Sequence, residues 1–265
     1  MMVGRNIDDL YERTYQPSGE EALRVENLTR GKKLQGASLN LHCGEIVGLA
    51  GLVGSGRTEL ARAVFGVDKL ESGKVYVFGK EIQPDSPAQM VQMGISLLPE
   101  DRKNQGLCLR LPLNDNVVMS SLKQLFPNGL VNLRKEKTVV EDYIKELRIA
   151  TPNQSRLVQF LSGGTQQKVV LAKWLCTHAR IFIFDEPTRG IDVGAKAEIH
   201  AFMNELVRQG GAVLMISSEL PEVLGMSDRV YVMREGRVVA DIPHTECTQE
   251  RIIAYAMGGS DESEN

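Results

Sequence analysis

The stretch Glu45-Ile-Val-Gly-Leu-Ala50 runs straight into Gly51-Leu-Val-Gly-Ser-Gly-Arg-Thr58, and a helical pattern through Leu60 and Phe65 follows at once. An apolar strand, a glycine-rich loop and a helix in that order leave few folds open. A strand that feeds a crossover helix is the building unit of a parallel α/β sheet. Within the loop, two glycines with four residues between them precede a basic residue and a hydroxyl, the spacing of a phosphate-binding loop. Glycine lets successive N–H groups curl into an anion-binding nest, and the following helix adds its positive end. Gly51, Gly54, Ser55, Gly56, Arg57 and Thr58 are therefore candidate phosphate ligands, with Thr58 placed to ligate Mg2+. Arg57 departs from the motif, which asks for lysine, so a wider planar fork replaces a compact point charge. A glycine-rich turn with no ligand has the same local composition.

The rest of the chain fits an α/β fold. Leu23, Val25 and Leu28 suggest a first strand, Ser38–Leu41 a second, and Lys74-Val-Tyr-Val-Phe78 another that ends at Gly79. Residues from about 101 to 178 are mostly helical, with Val140, Tyr143, Ile144 and Leu147 on one face. Strand and helix then alternate: Ile181–Phe184, a helix marked by Ile199, Phe202, Met203 and Leu206 before Gly210, the strand Ala212–Ile216, and a short helix at Pro221–Leu224. Val230–Met233 and Arg237–Ala240 read as a hairpin, and Thr248 as the cap of a last helix through Ala256. A chain of 265 residues with 42% hydrophobic and 25% charged residues can bury a sizeable core. A net charge of −3 gives no electrostatic ground for a nucleic-acid partner. The four cysteines lie far apart, without metal-site or disulfide spacing, which fits a reducing compartment. No apolar run reaches the roughly 18–20 residues needed to span a bilayer, and no signal peptide precedes the polar stretch Arg5–Glu21, so a membrane role requires docking on another subunit.

Two further elements carry chemistry. The strand Ile181-Phe-Ile-Phe184 ends in Asp185 and Glu186. Asp185 suits a magnesium shell through water, and Glu186 suits a general base on an attacking water. Just upstream, Leu161-Ser-Gly-Gly-Thr-Gln-Gln-Lys168 opens a helix whose first N–H groups can face a phosphate. A plain capped helix is the structural alternative. In this order after the phosphate loop, the segment closely resembles the signature sequence of the ABC ATPases. The resemblance runs from about Leu23 to Ala240. It implies a P-loop NTPase of the ABC type, with a mainly parallel core sheet, an antiparallel β part and a helical subdomain. It also implies ATP and Mg2+ as ligands, Ser162, Gly163, Gly164 and Gln166 as signature residues acting in trans, and Asp192 as the D-loop aspartate.

Within that family, Pro99-Glu-Asp-Arg-Lys103, Asp185–Gly194 and Ser217–Leu224 resemble the second half of the tandem ATPases of carbohydrate importers of the ribose, arabinose, xylose and galactose type. Met2-Val3-Gly4-Arg5 echoes Met257-Gly258-Gly259-Ser260, as the tail of a preceding copy would, although so short a match also arises by chance. The resemblance implies residues 1–21 as a linker from a preceding half and 22–245 as the nucleotide-binding domain, with the helical subdomain at about 101–178. Residues 246–265 are then a C-terminal helix with an acidic tail. The implied partners are a homologous N-terminal half, membrane permease subunits and, indirectly, a periplasmic or extracellular sugar-binding protein. The implied location is the cytoplasmic face of the membrane.

Four departures from the family pattern converge: Arg57 for lysine, Glu100 at the Q-loop position, Ser218 at the switch-histidine position, and no aromatic between Leu23 and Gly51 to stack adenine. They imply a degenerate phosphate site in this half, with its signature serving the partner's loop. A soluble ABC ATPase and a non-hydrolytic regulatory module remain alternatives. Arg102 and Lys103 are expected at a permease-docking surface or in a solvated basic turn. Cys43, Cys108, His178 and His244 have no partner spacing.

Overall fold

The computed structural model describes residue 13 and residues 19–259. The echo at Met2–Arg5, most of the polar opening stretch and the acidic tail from Ser260 lie outside the described residues. The chain opens with β1 (Glu21–Arg30), β2 (Leu34–His42) and β3 (Ile46–Gly51), followed by α1 (Arg57–Val64), β4 (Ser72–Val77), β5 (Lys80–Ile82), α2 (Pro87–Gln92) and β6 (Ile95–Leu98). The helical stretch holds a π-type turn (Arg102–Gly106), α3 (Leu113–Val118), α4 (Leu122–Leu125), α5 (Leu133–Glu146) and α6 (Gly163–Leu175). After it come β7 (Ile181–Asp185), α7 (Val193–Arg208), β8 (Ala212–Ile216), α8 (Leu220–Met226), β9 (Arg229–Arg234), β10 (Arg237–Pro243) and α9 (Gln249–Met257).

Apolar runs without alternation place β3, β7 and β8 inside the main sheet, where both faces are covered. That sheet has six strands in the order β10-β9-β3-β8-β7-β6. Parallel pairing holds from β9 through β3, β8 and β7 to β6, and β10 closes the edge antiparallel to β9. A second sheet, β2-β1-β4-β5, is antiparallel. Burying each core Val, Leu, Ile or Phe contributes about 1.5–3 kcal/mol of transfer free energy, so the stacked runs dominate the stability of the sheet.

Local signals set the helix ends. Ser162, Asp192 and Thr248 each accept a hydrogen bond from the amide three residues on, a cap that stabilises by about 1 kcal/mol. On α5, Val140 and Leu147 are buried, whereas Tyr143 and Ile144 are half-buried against the core. The last helix belongs to the packed body: Ile252 and Ala256 join Ala50, Val223, Val230, Val232 and Ile242 in one cluster. A point within the stretch read as linker is also fastened. The buried Arg13 guanidinium donates to Asp228, to the Gly44 carbonyl and to Asn204.

Candidate nucleotide site

Because β3 is flanked by parallel strands on both sides, the loop that leaves its C-terminal end emerges from the middle of the sheet. Gly51 leaves the strand at φ 151, and a β-carbon there would lie 2.3 Å from the Met233 carbonyl oxygen. Gly56 sits at φ 104 immediately before α1, where a β-carbon would fall 2.6 Å from the Lys33 carbonyl oxygen. Both positions exclude any side chain. Gly54, also at positive φ, faces open space, and Leu52 and Val53 at the crest are exposed. No side chain caps α1, so its first amides stay free for an anion. The Ser55 hydroxyl is buried and meets no partner among the described residues.

Three strand ends converge beside this loop, since β8 joins β3 to β7. Asp185 ends β7 at 2% exposure. Burial pushes its carboxyl up to about 6, against the opposing hydrogen bond from Thr58. Its Oδ1 is buried with no partner among the described residues. Glu186 follows in a left-handed conformation, φ 50, with its amide held by the Ile216 carbonyl at 2.9 Å. The Ser218 hydroxyl donates to Glu186 Oε2 at 3.0 Å. Arg57 turns towards the same loop, its Nη1 donating to the Ser217 carbonyl at 2.8 Å. Burial lowers the Arg57 pKa, and Glu186 and Asp185 partly offset this. Two of the four departures, Arg57 and Ser218, thus contact one loop and one carboxylate. Glu100 lies apart from them in an ion pair with Arg189.

The Ser217–Ser218 loop is held from below. Glu222, almost fully buried, accepts from His200 Nε2 at 2.6 Å and from the Ser217 hydroxyl. Burial alone would raise its pKa, but the His200 and Ser217 hydrogen bonds outweigh that and hold it low.

The Ser162–Gly164 turn is a separate place. Its nearest neighbours are Arg102, Gly190, Asp192 and Ala195. Ser162 caps α6, and Asp192 caps α7 by accepting from the Ala195 amide at 3.0 Å. Gln166, expected beside these residues, is turned inward instead. It is 4% exposed and its amide donates to the Val158 carbonyl at 3.1 Å. The physical reason is that Gln166 and Gln167 are both buried at the start of α6, so each amide seeks an internal carbonyl: Val158 for Gln166 and, at 2.8 Å, Pro187 for Gln167.

The residues fit the ligands that the motifs imply. A glycine cradle, the first amides of α1 and the orphaned Ser55 hydroxyl suit phosphate oxygens. Thr58 and the partnerless Asp185 oxygen suit Mg2+. Among the described residues no group of three His, Cys, Asp or Glu could hold a metal by itself. Magnesium here would lean on phosphate oxygens and water, as it does in most nucleotide sites.

The model of the ABC transporter family matches residues 34–189. The chain belongs to that family. A putative ribose/galactose/methyl galactoside import ATP-binding protein of Rhizobium etli is 47% identical over 258 residues, covering 97% of this chain and 49% of the relative. A ribose import ATP-binding protein of Streptomyces avermitilis is 48% identical over 257 residues, covering 97% and 51%. The chain thus spans about half the length of the curated relatives it matches. Among solved structures, the ADP conformation of an ATP-binding cassette of an ABC transporter superposes with a TM-score of 0.72 at 25% identity, covering 91% of this chain and 96% of that one. The dimeric post-hydrolysis state of another cassette, bound to ADP and Pi, also gives 0.72 at 20% identity and shares the fold, covering 84% and 98%.

In this ABC cassette, three charged residues matter that sequence reasoning misses or misplaces. Arg102, expected in a docking surface or a solvated turn, is half-buried, with Nη1 on the Arg189 carbonyl at 3.0 Å. Lys173 is buried, its Nζ donating to the Gly106 carbonyl at 2.6 Å, and desolvation pulls its pKa down to about 8. Glu222 anchors the Ser217 loop. The one legible signal is Lys173 itself, the single polar residue in the otherwise apolar run Val169–Leu175 of α6.

Proposed function

We propose that this cassette helps to energise import of a monosaccharide by completing a catalytic site on a homologous half, while its own phosphate loop is degenerate. The observation that carries this reading is the commitment of the hydrolytic positions to one another. Arg57 donates to the Ser217 carbonyl, and Ser218 donates to Glu186, the carboxylate that would act as base. A general base needs a free lone pair directed at its proton donor. Here the Ser218 hydroxyl engages one of its oxygens and fixes the direction of the carboxylate. Glu100 puts a negative charge where a neutral amide would assist. ATP bound with Mg2+ supplies the phosphoryl bond whose cleavage drives the cycle. In this half Gly51–Thr58 would hold its phosphates, and Thr58 and Asp185 the metal.

The signature turn is intact and lies against Arg102, Gly190 and Asp192, which supports its use by a partner. The sugar-import relatives support a monosaccharide as cargo, a membrane permease and an extracytoplasmic sugar-binding protein as partners, and the cytoplasmic membrane face as the place of action. Their length, about twice that of the matched region, supports a homologous half in one parent chain. Without that half, this chain is a weak nucleotide-binding module.

The test is sugar-stimulated ATPase activity of the assembled transporter. Gly163→Asp puts a carboxylate against phosphate in a poorly hydrated interface, which costs several kcal/mol, or roughly a hundredfold in rate. Arg57→Ala is expected to cost much less. Equal damage from both substitutions refutes the division of labour.

A further inference from the structure

The segment Pro99–Lys103 is built as a clamp on the signature helix. Asp101 accepts from the Lys103 and Asn104 amides at 3.2 Å each and from the Asn104 side chain at 2.6 Å, which shapes the turn 102–106. One end of that turn is tied to the loop after β7 through Arg102, whose fork donates to the Arg189 carbonyl at 3.0 Å and the Gly190 carbonyl at 3.4 Å. A β-carbon on Gly163 would come within 2.9 Å of Arg102 Nη2, so the guanidinium rests directly on the first glycine of the signature. The other end is tied to the far part of α6 by the bond from Lys173 to the Gly106 carbonyl. Arg189 adds a second link, since its carbonyl receives Arg102 while its side chain pairs with Glu100. A solvated arginine would keep its donors in water. This one spends two of them on adjacent carbonyls of the loop that leads to Asp192.

We propose that Arg102 is a positioning residue for hydrolysis in trans, setting the angle between the Ser162–Gly164 turn and the Arg189–Asp192 loop. The proposal rests on the reading that this signature serves a partner's phosphate site. On that reading both segments would face the partner's phosphate site, and one planar fork spans them. Lysine offers three rotatable donors on a point charge with no fixed plane, so it can reach these carbonyls but cannot hold them in a set geometry or lie flat on Gly163. On this account Gly163 lacks a side chain partly for an internal reason: the space a methyl group would take is already filled by the guanidinium.

The experiment uses the assembled transporter with Mg-ATP and sugar, with kcat referred to titrated nucleotide sites so that misfolded protein does not count. Arg102→Ala and Arg102→Lys are each expected to lower kcat by about tenfold or more, as small misplacements of reacting groups do. The KM for ATP should not move, because the phosphate loop in question lies on the partner. Gly163→Ala should lower kcat on its own, and much of that loss should disappear in the Arg102→Ala background, where the methyl group finds room. Wild-type kcat in either Arg102 variant, or strict additivity of Gly163→Ala with Arg102→Ala, overturns the proposal. If Gly163→Asp abolishes hydrolysis in the same preparation, the reading in trans survives that result. If Gly163→Asp is fully active, both fall.

Discussion

Asp185→Asn should stabilise this cassette in the absence of nucleotide, although it removes a functional group. The carboxyl ordinarily titrates near 3.8 and here is pushed up to about 6, with burial as the leading cause. The folded state therefore keeps its proton to higher pH than the unfolded chain, and stability is lost as pH rises from 3.8 through about 6. That displacement corresponds to a cost of about 3 kcal/mol for the ionised carboxylate at about pH 7.5. Asparagine keeps an acceptor for the Thr58 hydroxyl and carries no charge. Urea unfolding of wild type and Asp185→Asn at several pH values measures the difference. It should be about 3 kcal/mol in favour of the variant at about pH 7.5, fall to roughly half at about pH 5, and vanish in stronger acid. Other groups titrate in both proteins and cancel. A variant less stable than wild type at neutral pH, or a gap that does not close towards acid, refutes the assignment of a desolvation penalty to this carboxylate.

Titration of the 265-residue chain with Mg-ATP and Mg-GTP should show weak and similar affinities, since the glycine cradle survives and no aromatic lies between Leu23 and Gly51. Tight, adenine-selective binding would show an unrecognised base platform. Gly48→Ala, in the middle of β3, should destabilise by about 1–3 kcal/mol, the usual cost of overpacking a core. Its β-carbon would come 2.5 Å from the Ser227 hydroxyl and 3.0 Å from Val223, and an unchanged melting temperature would contradict this.

What could be seen in the residues themselves was mostly local. The apolar runs of β3, β7 and β8 predict buried strands and end at Gly51, Asp185 and Ile216, so the edge of the sheet that carries the chemistry is legible before any pairing is known. The contact between Ser218 and Glu186 is not legible, because it depends on β7 lying beside β8 in the register Asp185 to Ile216. Nothing in the chain near either residue encodes that register. Arg102 escapes for a related reason: a basic residue in a polar turn has the pattern of a solvated one. Only the approach of the turn to Gly163 and Gly190 draws it in. Gln166 shows the limit of motif transfer. Motif position and helical spacing both place it one turn from Ser162, whereas its side chain is drawn inward onto the Val158 carbonyl. The final helix is read correctly from its Thr248 cap, but the apolar cluster that Ile252 and Ala256 complete is assembled from β3, α8, β9 and β10.

The contact made by Arg13 bears on where this unit can be cut. Asp228 accepts from the Ile46 amide at 2.7 Å and from Arg13, and burial raises its pKa despite both. Excision at the first strand would leave that carboxylate enclosed without its cation, and removing one member of a buried pair typically costs about 3–5 kcal/mol. A protease that trims the polypeptide up to Glu21 would therefore release a body weaker than the one it trimmed.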